Sequence, residues 1–208
     1  MEPITIALAK GRTADSTIRI LEDAGFHFPD FHPDSRKLIF HTDDRTVSLI
    51  CVKAVDVPTY VENGAADIGV AGKDTILESQ ADVYEILDLK IGSCRFAVAG
   101  KPDTILDNIN QITVATKYPT VAKNHFLKKG VLAETIKLNG SVELAPLIGL
   151  SDVIVDIVET GTTLRENGLE IMEEIENIST RLIINKASFT TRSEETHTLI
   201  NKLKSVVG

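Results

Sequence analysis

The run from Val153 to Val158 limits this chain's fold more than any other stretch. It is apolar and β-branched except at Asp156, and it is too short to make a helix of its own, so it reads as a buried strand. It runs into Glu159-Thr-Gly-Thr-Thr163, then into a helix-compatible Leu164–Asn167 that stops at Gly168. A buried strand that feeds a glycine-containing, hydroxyl-rich turn and then a helix implies an α/β fold with a polar site at the strand's exit. Backbone N–H groups converge at such a turn, the helix dipole favours an anion, and threonine hydroxyls add donors, so the turn is suited to a phosphate. Gly161 lets the backbone come close to a ligand. Asp156 and Glu159 would repel a bare phosphate, but carboxylates accept hydrogen bonds from sugar hydroxyls. Together the acids and the Thr-Gly-Thr-Thr turn point to a ribose 5-phosphate group. The plain alternative is an ordinary strand–turn–helix with a threonine cap.

Composition excludes several classes. At 208 residues the chain can bury a substantial core in one or two domains, and its 43% hydrophobic and 25% charged content is ordinary for a globular protein. A net charge of -8 opposes nucleic-acid binding but leaves room for a nucleotide substrate in a local basic pocket. The N-terminus lacks a basic segment followed by a long apolar stretch, and no run is long enough to span a bilayer, so the expectation is a cytoplasmic chain with no membrane contact. Cys51 and Cys94 lie in strand-like runs and read as buried free thiols; the histidines show no metal-ligand spacing.

Along the chain, strands are expected at Ile4–Leu8, at Leu38–His41 and Val47–Val52 as a hairpin, and at 67–72, Val83–Leu89 and Arg95–Ala99. Further strands are expected at Ile112–Ala115, Thr135–Leu138, Glu170–Glu176 and Leu182–Asn185. Helices are expected from Ala14 to Ala24, capped by Thr13 and stopped by Gly25, and near Pro58–Val61, capped by Asp56. Others run from Lys73 to Ser79, from Thr120 to Lys129 with Gly130 as the stop, and from Ser193 to Val206. Pro146 fits only the first turn of a helix or a kink. Lys10 and Arg12 stand at a strand's C-terminal end, where open α/β sheets place ligands.

Several segments together resemble the ATP phosphoribosyltransferase family in its short form. They are Ala9–Arg12, Ser35–Phe40, Asp56–Glu62, Gly64–Asp74, Thr116–Tyr118, Lys137–Leu147 and Asp152–Asn167, in the family's order and spread over nearly the whole chain. The resemblance implies a two-lobed α/β fold like that of type II periplasmic binding proteins, the second lobe inserted into the first and the two closing over a cleft. Lobe one would be residues 1–90 plus 180–208, and lobe two residues 91–179, carrying the phosphoribosyl-phosphate loop. The chain's stop at Gly208, straight after the closing helix, leads to the expectation that the long form's regulatory domain is absent. The partner would then be a separate subunit resembling histidyl-tRNA synthetase, in a hetero-octamer.

The implied reaction joins adenine N1 of ATP to phosphoribosyl pyrophosphate and releases pyrophosphate, the first step of histidine biosynthesis. The resemblance assigns Asp156, Glu159, Thr160, Gly161, Thr162 and Thr163 to phosphoribosyl pyrophosphate. It assigns Lys10, Arg36 and Lys53 to phosphates at the reacting centre, and Arg12, Asp74, Tyr118 and Glu143 to ATP. Lys53 stands where many members carry arginine; it keeps the charge and loses the bidentate fork. Mg²⁺ would travel with the pyrophosphate, held by substrate oxygens and water, with no protein ligand named. Two other readings remain open at this stage. One is a type I base-salvage phosphoribosyltransferase, which also carries acids before a Thr-Gly-rich loop. The other is a non-catalytic solute-binding protein of the same two-lobed fold.

Overall fold

The computed structural model describes residues 2–32 and 34–208, with Arg12 described by its backbone alone. The chain divides into two compact units, one of residues 1–92 and 179–208, the other of residues 93–178 inserted within it.

The first unit opens with β1 (Ile4–Ala9), α1 (Arg12–Asp23), β2 (Ile39–His41) and β3 (Val47–Val52). It continues through a 3-10 turn at Ala54–Asp56 to α2 (Val57–Glu62), β4 (Ile68–Gly72), α3 (Lys73–Ser79) and β5 (Val83–Asp88). The second unit holds β6 (Cys94–Gly100), β7 (Gln111–Thr116), α4 (Pro119–Lys128), β8 (Leu132–Lys137), α5 (Leu144–Leu147), β9 (Val153–Val158), α6 (Thr162–Glu166) and β10 (Glu170–Ile178). The chain then returns to the first unit as β11 (Thr180–Asn185), α7 (Lys186–Thr191) and α8 (Ser193–Val207).

The first sheet has the order β2-β3-β1-β4-β11-β5. Strand β1 runs parallel to both β3 and β4, whereas β11 is antiparallel to β4 and β5. Alternation along β1 buries Ile6 and Leu8 against α1 and α8 (Ile18, Leu21, Leu199, Leu203), while Ala7 faces Val57 and Val61 of α2. Helices therefore cover both faces, which is why these strands are apolar at nearly every position. The second sheet has the order β10-β6-β9-β7-β8, with β9 at its centre, antiparallel to β6 and parallel to β7.

Local details depart from the sequence expectations where backbone geometry decides. Gly11, not Thr13, occupies the N-cap of α1, at φ 126, a conformation that needs glycine; Thr13 lies inside the helix, where its carbonyl accepts from Thr17 Oγ1 at 2.8 Å. Asp56 stands at the cap of α2 but makes no side-chain cap bond. Helix α7 was not expected; Asn185 caps it by accepting from Ser188 N at 3.0 Å. Both cysteines are free, Cys51 buried and Cys94 only half-buried.

Asp67 ties the first unit together. Its carboxylate accepts from Thr5 N at 2.9 Å, Ser188 Oγ at 2.7 Å and Arg192 Nη1 at 2.9 Å, and Arg192 also donates to the carbonyls of Glu2 and Pro3. The start of the chain, β4 and the junction of α7 with α8 thus meet at one ion pair, whose side chains are 13% and 23% exposed. Asp67→Ala removes the closer of the two carboxylates paired with Arg192, leaving Glu195 at 3.6 Å, and strips Thr5 N of its acceptor. It is expected to cost about 2–3 kcal/mol, against about 1 kcal/mol for Ser188→Ala. Chemical denaturation of the two variants measures the difference.

Candidate active site

In the second unit, seven residues singled out from sequence line one concavity of about 240 Å³: Glu143, Asp156, Glu159, Thr160, Gly161, Thr162 and Thr163. Three elements position them. Strand β9 delivers Asp156, the turn after it supplies Glu159 to Gly161, and Glu143 sits at the N-cap position of α5. Asp156 pairs across the sheet with Ala97 and shares the face of Ile154 and Val158 that packs against Val142, Ala145 and Leu164. Alternation aims its carboxylate into the concavity. Burial raises the Asp156 pKa, the backbone bond at Ile157 opposes the rise, Glu143's charge adds to it, and Lys117 works against it.

The turn is built as the phosphate reading requires. Gly161 has φ 72, a left-handed conformation that a residue with a Cβ takes only at a cost of roughly 1–2 kcal/mol. Helix α6 starts at Thr162 and ends at Glu166. It begins two residues earlier than expected and spans little more than one turn. The donors come from the turn itself, because so short a helix carries little macrodipole. Thr160 Oγ1 lies 3.0 Å from Thr162 Oγ1, and Thr162 N–H donates weakly to Thr160 Oγ1 at 3.4 Å.

Two cations beside this site were not assigned from sequence. Arg165 donates from Nη1 to Thr160 O and from Nη2 to Thr162 Oγ1, both at 3.1 Å. Lys117 leaves the end of β7, next to β9, and its charge reaches Asp156. The sequence carried no distinguishing signal for Arg165 beyond its lying three residues after Thr162, a spacing that any exposed helical residue can have. Tyr118 turns a ring face to Lys117 Nζ, 5.5 Å from its centroid. It is 6% exposed and packs edge-on against Phe96 at 4.9 Å. Phe96 pairs with Ile157, which alternates with Asp156 along β9, so the ring lies on the other face of the sheet from that carboxylate.

In the first unit, the register gathers another group. Ala9 pairs with Val52 and Leu8 with Val70 in parallel strands, so Lys10, Lys53 and the Gly72–Asp74 turn all leave the same C-terminal edge of β3, β1 and β4. This is where parallel α/β sheets bind ligands. Lys10 Nζ donates to the carbonyls of Ser35 and, at 3.1 Å, Lys37, which anchors the segment bearing the exposed Arg36 to that edge. Lys53 is exposed. Asp74 lies in the first turn of α3 and folds back over Gly72, where a Cβ would stand 2.1 Å from its Oδ1. Arg12 begins α1, and its side chain lies outside what is described.

Among the described residues, no group of three His, Cys, Asp or Glu side chains is gathered closely enough to hold a metal ion. Nor, among them, is any helix long and apolar enough to cross a membrane.

Comparison with known proteins identifies the family and the fold. The family described as "HisG: ATP phosphoribosyltransferase" matches residues 53–205. The chain is 61% identical over 208 residues to an ATP phosphoribosyltransferase of Oceanobacillus iheyensis, covering 100% of both. Among solved structures it is similar to the ATP phosphoribosyl transferase (HisG:HisZ) complex from Thermotoga maritima, at 35% identity and a TM-score of 0.85, covering 98% of each chain. It also shares its fold, at 14% identity and a TM-score of 0.57, with the substrate-binding protein of an amino acid ABC transporter, covering 98% of this chain and 91% of that one.

The raised pKa of Asp156 has a defined consequence for stability. Its contribution is fully present below the unfolded carboxylate value of about 3.9, and it is lost as pH rises through the higher folded value. Asp156→Asn removes that loss, so its melting temperature is expected to match wild type near pH 4 and exceed it at pH 7. Thermal melts across that range check the sign; a gap independent of pH would contradict it.

Proposed function

The chain belongs to the ATP phosphoribosyltransferase family, and on that premise we propose how its residues divide the work. The activity is the condensation of ATP, through adenine N1, with phosphoribosyl pyrophosphate to give N1-(5-phosphoribosyl)-ATP and pyrophosphate, the first step of histidine biosynthesis. The observation that carries the assignment is the concavity in which Glu143 and Asp156 meet the Glu159–Thr163 turn. The backbone and hydroxyl donors of Thr160 to Thr163 take the 5-phosphate, and Asp156 and Glu159 accept from the ribose hydroxyls. As the C1–oxygen bond to pyrophosphate breaks, positive charge grows on the ribosyl ring, and a partly desolvated Asp156 carboxylate stabilises it more than a solvated one would.

The basic residues at the edge of the first sheet are assigned to phosphates, Lys10, Arg36 and Lys53 to those at the reacting centre and Arg12 to those of ATP. Asp74 and Glu143 accept from the adenosine. Tyr118, whose ring is buried, supports the exit of β7 in place of stacking on the base. Holding two polyanions in line contributes about 7–11 kcal/mol to such a step. Mg²⁺ is assigned to the leaving pyrophosphate, carried by substrate oxygens and water. The related Thermotoga maritima structure is a HisG:HisZ complex, which supports a HisZ-type regulatory subunit as partner, in a cytoplasmic hetero-octamer.

An assay with ATP, phosphoribosyl pyrophosphate and Mg²⁺, with and without a HisZ-type subunit, follows the ultraviolet change of phosphoribosyl-ATP. Product is expected, and Gly161→Val is expected to lower the rate at least about 100-fold, because strain and the new side chain both displace the donors. Undiminished turnover by Gly161→Val would remove the loop from the site. Turnover of a free base in place of ATP would remove the acceptor assignment.

A further inference from the structure

The concavity that receives a phosphate is lined by three carboxylates, Glu143, Asp156 and Glu159, and by no cation. A phosphate group carries up to two negative charges, so entry depends on how completely the turn presents donors and hides acceptors. The turn's own atoms do not guarantee this. Thr160 has a backbone carbonyl, and each threonine hydroxyl can either donate or accept.

We infer that Arg165 is a positioning residue for the 5-phosphate: it pulls the Thr160 carbonyl out of service as a repelling acceptor and orders the Thr162–Thr160 hydroxyl chain so that Thr160 presents the outward donor. The inference rests on assigning the Glu159–Thr163 turn to phosphoribosyl pyrophosphate. Its geometry is a two-pronged fork, Nη1 on Thr160 O and Nη2 on Thr162 Oγ1, each at 3.1 Å. Either hydroxyl could donate across the 3.0 Å between Thr162 Oγ1 and Thr160 Oγ1, and a cationic N–H on Thr162 Oγ1 polarises that hydroxyl and favours its donating to Thr160 Oγ1. Thr160 Oγ1 then accepts from Thr162 through its hydroxyl and, weakly, its N–H, and its own proton is left to point outward. Each bond in such a chain polarises the next, and a cationic first donor fixes the direction.

Three further observations agree. Arg165 N–H donates to Gly161 O at 3.1 Å, so the residue is anchored to the turn at both ends. A Cβ on Gly161 would lie 3.4 Å from Arg165 Nη1, so the guanidinium lies over the glycine itself. Among the described residues Arg165 forms no ion pair with a carboxylate. Its charge is directed at neutral oxygens of the turn and remains available to a bound anion. Lysine keeps the charge but cannot make both bonds in one plane, and glutamine keeps a donor but loses the charge.

The test compares Arg165→Ala, Arg165→Lys and Arg165→Gln in the full chain, with KM measured for each substrate at several salt concentrations. Arg165→Ala is expected to raise KM for phosphoribosyl pyrophosphate about tenfold while KM for ATP stays within twofold. Arg165→Lys should recover part of the loss and keep the wild-type salt dependence, which Arg165→Gln should flatten. A KM for phosphoribosyl pyrophosphate within twofold of wild type in the alanine variant overturns the inference, as does an equal rise for both substrates, which marks general damage. If the alanine variant does not fold, the lysine and glutamine variants decide by the same two criteria. Titration of phosphoribosyl pyrophosphate into Gly161→Ala, run in parallel, separates the two levels. Unchanged binding there removes the loop assignment itself. Weakened binding there with an unaffected Arg165→Ala removes only the role of the arginine.

Discussion

The second unit depends on a conflict within one strand. Strand β9 lies at the centre of its sheet, paired with β6 on one side and β7 on the other, and every residue from Val153 to Val155 is buried. A strand so placed should be apolar throughout, yet it carries Asp156 on the face that packs against α5 and α6. Burial disfavours the charged carboxylate and Glu143 disfavours it further, with Lys117 and a backbone bond giving partial relief. Keeping an aspartate there lowers stability, which is the usual sign that a position is set by a ligand. Sugar hydroxyls would restore the hydrogen bonds that folding removed from that carboxylate.

The first unit solves a different problem, that of assembling cations without letting them repel the chain apart. Parallel pairing of β3, β1 and β4 brings their C-terminal ends into line, so Lys10 and Lys53 emerge side by side by register. Lys10 keeps its charge while donating to backbone carbonyls of the Ser35–Lys37 segment, and Lys37 pairs with Asp30 at 2.9 Å. These bonds hold an otherwise irregular segment, and Arg36 with it, against the edge of the sheet. Far from that edge, the Asp67–Arg192 pair closes the unit by joining its first residues to the helices that follow β11. Asn185 adds a second tie, donating from Nδ2 to the carbonyls of Val61 and Glu62 at the end of α2.

What could be read from sequence follows the same physics. Val153–Val158 and Val47–Val52 were legible to the residue, because a short, mostly apolar and β-branched run between polar bounds, broken in each case by one polar residue, has few other solutions. Helix stops at Gly25 and Gly130 were legible because each closes with a pair of backbone bonds that glycine permits. Caps were less so: Thr13 and Asp56 are good capping types, but at α1 the backbone had already turned at Gly11, and at α2 a preceding 3-10 turn left Asp56 in a helical conformation. The packing of Tyr118 was not legible, because its place at a strand exit says nothing of which face its ring takes. The substrate and the roles of single charged residues such as Arg36 and Lys53 came from family resemblance, since isolated exposed cations carry no local signature.

Arg165 escaped the sequence reading for a related reason. A basic residue in a short polar helix is normally a solvated charge, and nothing in Leu164-Arg-Glu-Asn167 distinguishes it. Its significance depends on two acceptors that fall at the right distance only after Gly161 takes a positive φ and tightens the turn. The glycine and the arginine therefore form one device. The first bends the backbone so that N–H groups converge, and the second ties up the carbonyl beside that bend by donating to Thr160 O. A turn with the glycine alone would still converge its donors, but it would leave an acceptor beside them, in a site that already holds three carboxylates. On the phosphate assignment proposed above, Arg165 would offset part of that acidity from the rim of the turn.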